Sequence, residues 1–212
     1  MFRRCMPVHR CAVLLFLSCF ASGALAQGVG PQTSFLTPVG LHSLTTVSMQ
    51  SDSNFRFGQT LIGQADIETS SWLLNYAYRF AAGERFAQLS VLAGYQDIGA
   101  SGDLGLEPDQ LVPVAVGRAG VTDPLLTFRL GLLGAPALSP AEWLLAEKGF
   151  QLYLEVGARL PWGDYSSERL LNPGFNRHSL SLALPMVIPI DRARQKTFLE
   201  IRPETVWFSD NN

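Results

Sequence analysis

The stretch Phe150-Gln-Leu-Tyr-Leu-Glu-Val-Gly-Ala-Arg-Leu160 alternates apolar and polar positions without a break. Phe150, Leu152, Leu154, Val156, Ala158 and Leu160 fall on one face; Gln151, Tyr153, Glu155, Gly157 and Arg159 fall on the other. A strand sends successive side chains to opposite faces, so this segment has one greasy side and one wet side. The same period recurs along the chain. In 71–80, Trp72, Leu74, Tyr76, Tyr78 and Phe80 oppose Ser71, Leu73, Asn75, Ala77 and Arg79. In 86–96, Ala87, Leu89, Val91, Ala93 and Tyr95 oppose a mixed face with Gln88 and Ser90. In 124–133, Leu126, Phe128, Leu130 and Leu132 oppose Thr127, Arg129 and Gly131. Residues 177–190 put Leu180, Leu182, Leu184, Met186, Ile188 and Ile190 on one face, with Pro185 and Pro189 marking bulges or a strand end, because proline cannot donate to a ladder. Residues 197–208 carry Glu200, Arg202 and Glu204 in a row, and residues 41–50 alternate more weakly.

These segments predict an all-β, antiparallel, up-and-down protein of seven strands. Ala81-Ala-Gly-Glu84 is a hairpin turn with glycine inside it, and Asp191-Arg-Ala-Arg-Gln195 is a short polar turn. Residues 51–66, 97–123 and 161–176 read as longer loops; a strand within Leu111–Val116 is left open. One short helix is expected near 139–148. Ser139 is its N-cap, Pro140 its first residue and Glu142 its third, a capping box with proline where the missing N–H costs nothing. Leu138 is placed to staple onto Trp143, and Gly149 to end the helix.

Alternation alone does not say which face points inward. Three features favour a transmembrane barrel over a secreted soluble β protein. The strands are about ten residues long, where soluble strands average about five or six. Large charged residues sit mid-strand on the polar face, and aromatics gather near strand ends, as interface girdles do. Lipid tolerates only closed barrels or helices, and no apolar segment is long enough for a spanning helix. A periplasmic N-terminus then puts the turns at 81–85 and 191–196, and the helix, on the periplasmic side. The loops 51–66, 97–123 and 161–176 fall outside, as in outer membrane barrels.

The first 26 residues fit this picture. Arg3, Arg4 and Arg10 precede an apolar core starting at Ala12, and Ala24-Leu-Ala26 is a cleavage site, so residues 1–26 read as a signal peptide and residues 27–212 as the barrel domain. Cys5, Cys11 and Cys19 all lie in the leader, which leaves the exported chain with no disulfide and no thiolate metal site. The full chain has a formal charge of −2 and the leader removes only basic residues, so nucleic acid is not an expected partner. His42 and His178 each precede a serine, but neighbours on a strand face opposite ways and there is no G-x-S-x-G. Asp103, Glu107 and Asp109 match no calcium-loop spacing. No catalytic residue, metal site or cofactor is expected.

Three segments together carry a family resemblance. They are Gly120-Val-Thr-Asp-Pro124 with the later Leu132-Leu-Gly-Ala-Pro-Ala-Leu138, then Pro161-Trp-Gly-Asp-Tyr165, then Arg169-Leu-Leu-Asn-Pro-Gly-Phe-Asn-Arg177. The chain resembles the outer membrane β-barrel family labelled "putative meta-pathway of phenol degradation" over most of residues 41–210. The resemblance implies a porin-like, transporter-like protein passing small hydrophobic or aromatic solutes, with membrane lipids and the outer membrane assembly machinery as its other partners. The alternatives are a non-transporting structural or adhesive barrel, or a secreted soluble β protein. Relative to that family, an odd strand count and an ending at Phe208-Ser-Asp-Asn-Asn212 read as a C-terminally truncated barrel. The expected lumen-lining residues are Arg79, Gln88, Arg129, Glu155, Arg159, Glu200, Arg202 and Glu204. The Glu200/Arg202/Glu204 stripe either sets pore selectivity or joins Arg159 or Arg79 in a salt-bridge network. Asp164, Tyr165, Asn172 and Arg177 are the candidates for shaping the channel mouth.

Overall fold

The computed structural model describes residues 34–55, 62–104, 112–191 and 197–210. The leader, the segment up to residue 33, Glu107, Asp109 and Leu111, turn residues 192–196 and Asn211–Asn212 lie outside the described residues. The strands are β1 (His42–Phe55), β2 (Ile62–Ala82), β3 (Arg85–Leu104), β4 (Val112–Val121), β5 (Leu125–Leu133), β6 (Gln151–Arg159), β7 (Ser179–Ala183), β8 (Met186–Pro189), β9 (Phe198–Ile201) and β10 (Glu204–Phe208). The one helix described, α1, is Pro140–Leu145.

All ten strands form one sheet in which every pairing is antiparallel. Several are halves of one longer strand. β4 and β5 both pair with β3, end to end, separated by Thr122–Pro124. β7 and β8 both pair with β6, separated at Leu184 and Pro185. β9 and β10 pair with β8 and β7, separated at Arg202 and Pro203. The breaks fall at prolines, which lack the N–H the ladder needs. Their carbonyls still bond across: Leu160 N–H donates to Pro124 O at 3.0 Å, Tyr153 N–H to Pro185 O at 2.9 Å and Leu184 N–H to Pro203 O at 3.0 Å. Joined in this way, the ten segments are the seven up-and-down strands that the alternation predicts.

Two predicted loops are corrected. Residues 51–55 continue β1 and 62–66 begin β2; β3 runs on to Leu104, and β4 fills Val112–Val121. Ser51-Asp-Ser-Asn54 looks like a turn, yet Ser51 to Phe55 stay in register with Thr69 to Ala65. Ladder bonding carries these arms beyond the reach of the hydrophobic alternation that marks the strands below. The hairpin at residues 82–85 turns through Gly83, whose φ of 64° suits glycine.

The helix starts as expected. The Ser139 hydroxyl accepts from Glu142 N–H at 3.4 Å, and Glu142 Oε2 accepts from Ser139 N–H at 2.8 Å and from the Ser139 hydroxyl at 2.7 Å. It ends at Ala146 rather than Gly149. The Trp143 indole N–H donates to Leu36 O at 2.8 Å, tying the helix to residues 34–40.

Burial is inverted relative to a soluble sheet. Along β6 the buried positions are Gln151, Tyr153, Glu155 and Gly157, while Leu152, Leu154 and Val156 are half-buried. On the outward side, Trp72 is 64% exposed, Leu74 46% and Leu180 50%, whereas Arg129 is 6% and Glu155 4%. The sheet therefore encloses its polar face and displays its apolar one, a continuous apolar surface of the kind water-soluble monomers rarely show.

Candidate functional site

The register brings the inner-face charges to one level. Arg79 lies opposite Gln88, Gln88 opposite Arg129, Arg129 opposite Glu155, Glu155 opposite Ala183, and Ala183 opposite Glu204. Six neighbouring strands thus contribute to a single belt across the inner face. Each residue lands there because it holds the polar parity of its own strand.

Within the belt the charges chain together. Arg129 Nε and Nη2 both lie 2.6 Å from Glu155 Oε2. Arg202 Nη1 lies 2.7 Å from Glu155 Oε1, and its Nη2 lies 3.2 Å from Glu204 Oε1. Arg202 sits in the β9–β10 break, where its side chain can swing onto the belt from outside the ladder. Glu155 is the hub: each of its oxygens accepts from a different guanidinium, which is how a buried carboxylate is stabilised. The network anticipated with Arg159 or Arg79 is built with Arg129 and Arg202 instead. Arg79 Nη1 donates to the Ser43 hydroxyl at 3.1 Å, and its buried Nε has no hydrogen-bond partner. Arg159 stands two periods of the alternation higher, level with Leu125, with its guanidinium 5.5 Å from the Phe175 ring centre. Glu200 falls below the belt, opposite Val187.

An apolar layer lies beneath the belt at the hairpin end. Phe86, Ala135 and Tyr153 are fully buried, and Leu36 and Val39 pack against them. The Phe86 and Tyr153 rings meet edge to face at 6.0 Å, and Arg129 sits 5.7 Å from the Tyr153 ring centre. Gln151 Oε1 accepts from the Tyr153 hydroxyl at 2.9 Å and from Leu36 N–H at 3.0 Å. Val39 N–H bonds Leu138 O, and Gly40 N–H bonds Arg79 O. Residues 34–40 are thus held as a plug across this end of the inner face. The sequence shows Gln151 and Tyr153 only as polar-parity residues; nothing in residues 27–40, rich in Gly, Pro and Gln, announces the plug.

The loop 161–176 is clasped onto the β4–β5 break. Buried Asp123 accepts from Gly163 N–H and Phe175 N–H, each at 2.7 Å. Asp164 accepts from Val121 N–H at 2.7 Å, and its own N–H donates to Val121 O at 2.8 Å. Asn172 ties the loop to itself: its Oδ1 accepts from Ser166 N–H and its amide donates to Ser166 O and Arg169 O. Tyr165 is half-buried in the same loop. Arg177 lies 4.3 Å from the Phe208 ring centre. Asp123 belongs to the Gly-Val-Thr-Asp-Pro segment, but its role is visible only once Gly163 and Phe175 are brought to it.

Among the described residues no three His, Cys, Asp or Glu side chains are grouped to hold a metal ion. The family description "Putative MetA-pathway of phenol degradation" matches residues 50–211. No curated protein and no solved structure matches the chain. With the family match spanning most of the sheet, both the charged belt and the loop clasp, the chain belongs to the family described as "Putative MetA-pathway of phenol degradation".

Proposed function

We propose that this sheet is outer membrane barrel wall, and that its inner face provides a path for small aromatic or hydrophobic compounds of the kind phenol breakdown requires. The inverted burial is the observation that carries this reading. An apolar face left outward is costly in water and favourable in lipid. The outward-parity run from Trp72 to Phe80, exposed as far as Tyr78 and half-buried at Phe80, covers about 26 Å along the strand at about 3.3 Å per residue, on the scale of the roughly 25 Å apolar band of outer membrane barrels. Aromatics mark both ends. Trp72 and Tyr95 are cross-strand partners at the top. At the bottom His42 stacks on Tyr78 at 4.6 Å, and Tyr78 on Phe80 at 5.5 Å.

Among the described residues no helix is long and apolar enough to cross a membrane. Export by the leader, delivery to the outer membrane and insertion by its assembly machinery belong to the same proposal, as does the absence of an enzymatic role. The family's description supports the aromatic solute class.

The plug of residues 34–40 favours a second reading, a structural barrel that conducts nothing. Reconstitution into liposomes decides between them. The channel reading expects phenol and benzyl alcohol to equilibrate faster than across protein-free liposomes. Membrane insertion with no added flux would leave the structural reading.

A further inference from the structure

Charge is distributed unevenly between the two faces of the sheet. The acids of β1, β2 and β3, Asp52, Asp66, Glu68 and Asp97, take the outward parity above the apolar band, where Asp52 lies opposite Glu68 and Asp97 opposite Ser70. The inner face collects arginine. Arg129 and Arg202 are matched by Glu155 and Glu204, and Glu200 lies lower on the same face, opposite buried Val187. Arg79, Arg159 and Arg118 have no carboxylate partner among the described residues: Arg79 has the Ser43 hydroxyl, Arg159 the Phe175 ring, and the buried Arg118 Nε no hydrogen-bond partner. All three are half-buried rather than sealed. They also stand at successive heights. Arg118 is level with Thr69 through Ile98, Arg159 with Asn75 through Leu92 and Leu125, and Arg79 lies on the belt itself. Thr69 to Arg79 spans about 33 Å of strand at about 3.3 Å per residue. In a chain whose formal charge is −2, an inner face with, among the described residues, five arginines (Arg79, Arg118, Arg129, Arg159 and Arg202) against three acids (Glu155, Glu200 and Glu204) reverses the bulk balance.

We propose that the inner face recognises anionic aromatic solutes, carboxylates or phenolates, with Arg79 as the contact on the charge belt and Arg159 and Arg118 as the approach above it. This rests on the passage reading above and adds the substrate class to it. Arginine suits the task. Its planar fork of donors matches a carboxylate, it stacks on aromatic rings, and it stays charged at any physiological pH. Unmatched cations lining a water-filled wall raise the local concentration of anions.

The test compares benzoate with benzyl alcohol, a neutral analogue of similar size, on the full chain. Flux into liposomes and equilibrium binding to the detergent-solubilised protein are both measured. The wild type should pass and bind benzoate in preference to benzyl alcohol. Arg79→Gln should lower benzoate flux and binding about tenfold, the scale of one charge-assisted contact, and leave benzyl alcohol unchanged. Arg79→Lys, which keeps the charge but not the planar fork, should restore part of the benzoate preference over benzyl alcohol, which a merely structural role for Arg79 would not predict. If benzoate binds in an Arg79-dependent way without any flux, the passage reading fails and anion recognition stands. Equal handling of both probes, a benzoate response indifferent to Arg79→Gln, or no binding with no flux overturns the inference.

Discussion

Up to the level of Val121 the outward face of the sheet is apolar and aromatic; above it the same face, on the same strands, is acidic. β2 shows the change within one unbroken ladder. Tyr78, Tyr76, Leu74 and Trp72 point outward in turn, and then Ser70, Glu68 and Asp66. Hydrogen bonding to β1 and β3 passes through the change without interruption, apart from a register shift between Ile62 and Ala65. Backbone pairing and face chemistry are thus separate specifications. The ladder fixes how far a strand runs, and the side chains fix which solvent each part meets.

The inner face differs between the two regions as well. The lower wall is cross-linked by the belt, so deleting its hub should have the largest effect. Glu155→Ala leaves Arg129 buried without its partner and is expected to cost about 3–5 kcal/mol, read by denaturant unfolding of the reconstituted protein. Glu68→Ala, in the arm, should fall within about 0.5 kcal/mol of wild type, since it removes a charge facing Asp52 across the ladder. Equal losses at the two sites would erase the distinction.

The outward face gives the next largest contrast. Val91→Arg, level with Tyr76 at the centre of the band, should cost about 2–4 kcal/mol in a bilayer, as a cation near mid-membrane does, while Ser70→Arg should cost about 0–1 kcal/mol. Matching values for both would mean that the band meets water.

A smaller effect is expected where the two regions join. Asp123→Ala strands the Gly163 and Phe175 amides and should weaken the clasp by about 1–3 kcal/mol, seen as faster protease cutting within 161–176 and little change in the unfolding of the wall.

The smallest effect belongs to the helix cap, outside the band. Bonds from the Ser139 hydroxyl and then its N–H hold the Glu142 carboxyl below its usual pKa. A depressed folded pKa means that the cap's contribution is complete above the ordinary glutamate range and is lost as pH falls through the folded value. Protection of the α1 amides, the exchange rate taken relative to the intrinsic rate at each pH, should therefore fall on acidification, and Ser139→Ala should abolish that dependence.

The same comparison explains what could be read from the chain. The lower wall was legible because alternation of large apolar and polar residues is visible wherever the two faces meet different media. That signal found the seven strands and the parity of Arg79, Gln88, Arg129 and Glu155, while the capping box at Ser139 was legible from its own local motif. It failed in the arms, where both faces are polar or small: Ser51 to Asn54 and Gly99 to Gly102 look like loop and are strand. Register is a long-range property, so the union of Glu155 with Arg202 across the β9–β10 break was out of reach. So was Asp123 receiving amides from a loop some forty residues later.

The claim that the apolar face is the outer one, in lipid, can be tested with spin labels. With Cys5, Cys11 and Cys19 replaced by serine, labels are placed at Leu74→Cys on the outward face and at Gln88→Cys on the belt, and the protein is reconstituted in bilayers. Collision rates with oxygen and with a water-soluble nickel chelate are measured at each site. The account predicts oxygen-dominated relaxation at position 74 and nickel-dominated relaxation at position 88. Nickel access at 74, with oxygen access no higher than at 88, would contradict it.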